Sequence, residues 1–165
     1  PFELKGYLEF CKKTYKEYNC NKVIFIGDII DNHYSSYHET DTNGLGGQQE
    51  LELAIKKIKK WYKAFPVADV IIGNHDRIIM RKAQTSAIPS AWIKEYKDVL
   101  ETPNWNFTDS VTYNDVLYIF GMQVGCGIDA KAYAMAYAKN YGKPAIGCGL
   151  VLNNGKQPLN VLMEL

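Results

Sequence analysis

Two short stretches constrain this chain more than any others. Lys22-Val23-Ile24-Phe25-Ile26 is an apolar, largely β-branched run that stops at Gly27-Asp28. Ala68-Asp69-Val70-Ile71-Ile72 stops in the same way, at Gly73-Asn74-His75-Asp76. Runs of this kind, closed at once by glycine, read as buried strands of a parallel sheet. In open α/β sheets, ligands bind in the crevice outside the carboxyl ends of the strands. Two parallel strands would therefore deliver Asp28 and Asn74-His75 to one crevice. A Gly-Asp pair after a strand is by itself ordinary turn chemistry. Its recurrence, with a helix-length insert between the two copies, is what points to a site.

The insert contains a helix from about Gln48 to Phe65. Leu51, Ile55, Ile58, Tyr62 and Phe65 form its buried stripe, and Pro66 ends it. Strand, helix and strand at this spacing make a right-handed βαβ unit. Ahead of it, Pro1 to about Tyr18 reads as a helix with Leu8, Cys11, Tyr15 and Tyr18 on one face. The polar stretch from Tyr34 to Gly47 reads as a functional or mobile loop. Arg77 to Arg81 has no clear pattern, and Ile88-Pro89-Ser90-Ala91-Trp92 opens a helix reaching about Leu100. Val111 to Phe120 reads as a hairpin with Asn114-Asp115 at its turn. Met122-Gln123-Val124 reads as a short strand and Ala130 to Asn140 as a helix. Ala145 to Val151 and Leu159 to Glu164 form a closing hairpin around Asn153-Asn154-Gly155-Lys156. The order predicts a single α/β domain over residues 1–165, a mixed β-sheet flanked by helices.

Composition narrows the function. The chain has 165 residues, enough for one domain with a real core. A net charge of +1 excludes a global basic field for nucleic acid or an acidic membrane. A local basic patch from Lys56, Lys57, Lys59, Lys60 and Lys63 keeps nucleic acid open as a partner, although a solvated helix face explains it more simply. With no apolar run of membrane-spanning length and no visible signal peptide, the expectation is a cytoplasmic protein without membrane contact. Cys11, Cys20, Cys126 and Cys148 show no C-x-x-C spacing and read as buried, reduced thiols.

The residue types at the two strand ends suit metal-assisted chemistry. Asp28 is a hard oxygen ligand able to bridge two divalent ions, and the Asn74 amide oxygen can fill a neutral ligand position. His75 could then face the substrate and donate a proton to a leaving group. Two metals about 3.5–4 Å apart can hold a hydroxide nucleophile and clamp a phosphoryl oxygen during in-line attack. Asp31, three residues beyond Asp28, could orient a ligand from behind. Asp76 and Arg77 are either an ion-paired structural element or phosphate contacts, with the structural reading of Arg77 preferred.

Gly27-Asp28-Ile29-Ile30-Asp31 and Gly73-Asn74-His75-Asp76 resemble the GDxxD and GNH[DE] motifs of the calcineurin-like metallophosphoesterases. The resemblance covers roughly Asn21 to Met80. Gly125-Cys126-Gly127-Ile128-Asp129 and the Tyr-rich segment after it are similar to the tail of phage-type members. What the resemblance implies is a four-layer αββα sandwich and a dinuclear centre of Mn, Fe, Zn or similar ions acting on a phosphoester. It also implies that Asp28 bridges the metals, Asn74 ligates the second one and His75 is the general acid. The family's DxH and GHxH motifs have no counterpart here, since His33, His38 and His75 are the only histidines. Three explanations follow. One is that segments precede Pro1 and fall near Phe120-Gly121; another is a truncated or degenerate relative without catalysis; the third is that His33 and His38 supply substitute ligands. The first is preferred, because the gaps coincide with motif boundaries while both remaining motifs are intact.

One rival comes from another class. Gly125-Cys126-Gly127-Ile128-Asp129-Ala130 has the form of a dinucleotide fingerprint. The acid expected about twenty residues later is missing, so this is a third choice.

Overall fold

The structure, a computed structural model, describes residues 2–119, 127–129, 131 and 145–164. Helix α1 (Tyr7–Glu17) is followed by strand β1 (Ile24–Phe25), helix α2 (Gly47–Ala64) and strand β2 (Ala68–Ile71). β1 and β2 are parallel, with Ile24 opposite Asp69 and Phe25 opposite Val70. Both apolar runs thus become neighbouring strands that point the same way, joined by the helix read from the 51–65 stripe. A third strand, β3 (Trp105–Thr108), lies parallel on the other side of β2. It was not anticipated, because Trp-Asn-Phe-Thr is too short and mixed to carry a strand signature. β2 is central, and its Val70 and Ile71 are fully buried.

Between β2 and β3 run helix α3 (Ile78–Thr85), a 3-10 turn at Ser90–Trp92 and the short helix α4 (Tyr96–Val99). The single helix expected from Ile88 to Leu100 is therefore broken. Ile93 and Glu95 are extended, with ψ of 127° and 151°, and interrupt the helical path. α3 supplies the structure that the sequence left undefined after Arg77.

The first helix is also shorter than expected. Gly6 adopts φ 87°, and α1 begins at Tyr7. The residues before it are committed elsewhere: Leu4 N–H donates to Gly127 O at 2.7 Å, and Asp129 N–H donates to Phe2 O at 2.9 Å. This forms an isolated antiparallel bridge between Glu3 and Ile128.

Two antiparallel hairpins complete the described chain. β4 (Ser110–Tyr113) pairs with β5 (Val116–Ile119) across Asn114 and Asp115, whose φ values are 49° and 63°. Asn and Asp tolerate this left-handed region, as a two-residue hairpin turn requires. β6 (Gly147–Leu152) pairs with β7 (Gln157–Leu162), and Asn153 and Asn154 turn the chain with φ 52° and 54°. Parallel and antiparallel strands lie in separate sheets among the described residues, where a single mixed sheet was expected. The architecture is α/β. The strand at Met122–Val124, the helix at Ala130–Asn140, most of the dinucleotide-like run and the Phe120–Gly121 junction lie outside the described residues.

One core cluster supports the ends of the parallel strands. It joins Ile30, Ala54, Ile58, Ala68, Val70, Leu100 and Trp105. Trp105 packs against Phe25 and Tyr62, with ring centroids 4.7 and 5.7 Å apart. Its indole N–H donates to Phe65 O at 2.8 Å, so the buried polar atom is satisfied. Among the described residues, no helix is long and apolar enough to cross a membrane.

Candidate active site

The chain leaves β1 through two successive left-handed residues, Gly27 at φ 102° and Asp28 at φ 52°. Glycine takes this conformation freely; aspartate does so at a cost that surrounding contacts must offset. Those contacts come from the end of β2. Asp76, buried, accepts hydrogen bonds from Asp28 N–H (2.9 Å) and Gly73 N–H (2.8 Å) on one oxygen and from Ile30 N–H (3.1 Å) on the other. A single carboxylate thus clamps both strand ends. The same turn places Asp28 against Gly73 so closely that a β-carbon at residue 73 would overlap the Asp28 carboxylate and amide. Gly73 is needed for that approach.

Asp28 Oδ1 accepts a hydrogen bond from His75 N–H at 2.9 Å. Asp28 therefore touches the residues on both sides of Asn74, and Asn74 stands beside it, both of them exposed. The two strand ends do meet at one crevice. Though exposed on one side, the Asp28 carboxyl is partly desolvated by the packed strand ends, which raises its pKa, and the His75 amide partly offsets that effect.

The His75 ring turns the other way, toward Asp31. Its Nδ1 lies 2.8 Å from Asp31 Oδ1 and 3.0 Å from the Asp31 carbonyl oxygen. The Asp31 carboxylate favours the imidazolium and pushes the His75 pKa up to about 9, against the pull of partial burial. At neutral pH the ring is a protonated donor, anchored through Nδ1 and with Nε2 on its opposite edge. Asn32, left-handed at φ 52°, donates from its amide to His75 O at 3.0 Å and holds the histidine from its backbone side.

The remaining candidates fall around this pair. His33 is buried, with Nδ1 3.9 Å from Asp31 Oδ2 and Nε2 accepting from Asp41 N–H at 3.4 Å. Glu50, buried on α2, accepts from His33 N–H (3.0 Å) and Tyr34 N–H (3.2 Å) and pins the start of the polar loop. His38 is exposed in that loop. Arg77 donates to Ile72 O (3.0 Å) and Asp109 Oδ1 (2.7 Å), a structural pairing. Two lysines of the basic stripe are ion-paired, Lys57 with Glu3 and Lys59 with Glu101.

Asp28, Asp31 and His75 line one cleft of about 1150 Å³, whose walls also include Ile24, Trp61 and Leu150. Of the residues that support it, sequence reasoning misread the role of one and missed another. Asp76 was read with Arg77 as an ion pair or phosphate contact and proves to be the clamp of the two motifs, while Arg77 pairs with Asp109. Glu50 carried no signal, being one polar residue among several at the start of α2.

Asp28 and Asn74 suit a hard divalent ion in donor type. Among the described residues, no group of three or more His, Cys, Asp or Glu side chains is arranged to hold a metal. Further donors would have to come from outside this pair. No protein-family model, curated protein or solved structure matches the chain.

Proposed function

We propose that the crevice is the acid half of a phosphoester-hydrolysing centre, in which His75 protonates the leaving oxygen. The observation that carries this reading is the double engagement of His75: its amide on Asp28 Oδ1 and its ring on Asp31. That arrangement puts a protonated imidazole beside an exposed carboxylate and amide. Asp31 keeps the proton on the ring and fixes its direction, and Asp28 and Asn74 would hold divalent metal. Metal bound there would supply charge neutralisation at the phosphoryl oxygens and an activated water. Under this reading the parallel sheet and the hairpins belong to a four-layer αββα sandwich, and the protein works in the cytoplasm. The substrate is a phosphomonoester or phosphodiester.

A second reading is a binding domain on the same scaffold, favoured by the small number of metal donors among the described residues.

Metal analysis and an aryl-phosphate assay in added Mn separate the two. Activity is expected to fall with metal content in Asp28→Asn. In His75→Ala the metal should stay while the rate drops about 10²–10⁴-fold, least for substrates with good leaving groups. Full activity in Asp28→Asn, or a metal-free and inactive wild type, would overturn the phosphoesterase reading.

A further inference from the structure

Asp31 holds His75 with one oxygen. Its Oδ1 lies 2.8 Å from His75 Nδ1, whereas its Oδ2 is buried without a hydrogen-bond partner, one of two such side-chain atoms among the described residues. A buried carboxylate oxygen left without a donor is costly, so the groups around it matter. His33 Nδ1 stands 3.9 Å from it, and the two side chains are only 9% and 15% exposed. The histidine is fixed from two sides. Its Nε2 accepts a hydrogen bond from Asp41 N–H at 3.4 Å, and its own amide donates to Glu50 Oε1 at 3.0 Å. A ring nitrogen that accepts carries no proton, so the proton of the neutral imidazole is on Nδ1. That tautomer aims an N–H at the carboxylate oxygen that lacks a donor.

We propose that His33 is a positioning residue for His75, acting through Asp31: His33 Nδ1–H binds Asp31 Oδ2 while Asp31 Oδ1 binds the His75 ring. The 3.9 Å gap is about 1 Å longer than an N–H···O bond, and a small rotation of the two side chains closes it. With both oxygens bound, the carboxylate cannot turn away from His75, and the His75 ring keeps its direction. No covalent bond changes and no proton is transferred in this role. The line continues through His33 Nε2 to the Asp41 amide, so the polar loop takes part in aiming His75. Both His33 nitrogens are then engaged within the protein, which argues against His33 as a substitute metal ligand. That the positioned group is a general acid rests on the phosphoester reading; the three-residue geometry does not.

The test uses the full chain with nitrogen-15 histidine and two-bond proton–nitrogen NMR above neutral pH, where an ordinary imidazole is neutral. His33 should carry its proton on Nδ1 and none on Nε2. The His75 ring signals should move in His33→Leu and stay near the wild type in His33→Asn, whose amide nitrogen stands where Nδ1 stood. In the aryl-phosphate assay with Mn, His33→Leu should lower kcat about 10–100-fold with KM and metal content unchanged. His33→Asn should recover most of that loss. Three results would each overturn the proposal: a proton on His33 Nε2, unmoved His75 signals in a folded His33→Leu, or loss of metal in that variant. Where neither variant folds, the wild-type tautomer decides. A wild type with the expected tautomer and His75 response but no phosphatase activity supports the positioning role and overturns only the phosphoester reading.

Discussion

His75 holds its proton because of one neighbour. The Asp31 carboxylate, 2.8 Å from Nδ1, stabilises the charged ring and outweighs the cost of partial burial. The folded pKa of about 9 lies above the ordinary 6.5, so the folded chain binds more protons than the unfolded chain between those values. The stabilisation is complete below about pH 6.5 and is lost as pH rises through 9. NMR titration of the His75 ring carbons should give a pKa well above 6.5, and Asp31→Asn should bring it back to that value or lower. An unchanged titration in Asp31→Asn would mean the carboxylate is not the cause. At this scale the sequence was informative about residue type but not orientation. Asp31 was read as a group orienting a ligand from behind, and the histidine it orients proves to be His75.

At the scale of elements, α2 does more than cross from β1 to β2. Ile58 enters the core and Leu51, Ile55 and Tyr62 pack against it, as the apolar stripe predicted; Ala54, outside that stripe, is buried as well. Glu50, from the first turn, reaches into the loop and takes the amides of His33 and Tyr34. Glu50→Ala would leave both amides without their acceptor, at a cost of about 1–3 kcal/mol for each one kept from water. Hydrogen exchange at His33 and Tyr34 should accelerate strongly in this variant, while exchange in β2 should change far less. Equal acceleration in β2 would show that the whole domain, rather than the loop, had loosened. The apolar stripe was legible because burial imposes a 3.6-residue period. The Glu50 contact was not, because one polar residue leaves no period. The broken helix at 88–100 has the same origin: local propensity allowed a helix, and packing around β3 selected short turns instead.

Across the whole molecule, the clamp at Asp76 ties β1 to β2 at the candidate site. Asp76→Ala removes the acceptor for three amides, two of them on the buried residues Ile30 and Gly73. A loss of about 2–4 kcal/mol is expected, read from the denaturation midpoint. A loss below about 0.5 kcal/mol, the range of ordinary surface substitutions, would show that the clamp is dispensable. Burial raises the Asp76 pKa from 3.8 to about 6, against the three amides that pull it down. The folded state then binds more protons than the unfolded state between those values. The contribution of Asp76 to stability is complete below about pH 3.8 and declines as pH rises through 6. That decline should be absent in Asp76→Asn.

Sequence alone determined the two strand-glycine motifs, their parallel pairing through one helix, both hairpin turns and the stripe that α2 buries. Each is a local rule, set by a side-chain period, a turn residue or a connection length, and each leaves its mark within a few residues. Tertiary structure decided which residues those rules serve. The turn of His75 toward Asp31, the three amides on Asp76 and the addition of β3 beside β2 all join positions far apart in the chain. Such pairings depend on distance and direction in space. The left-handed Asp28 shows the division most clearly: Gly27-Asp28 announced a turn, but only the amides gathered by Asp76, forty-eight residues away, hold that turn in place.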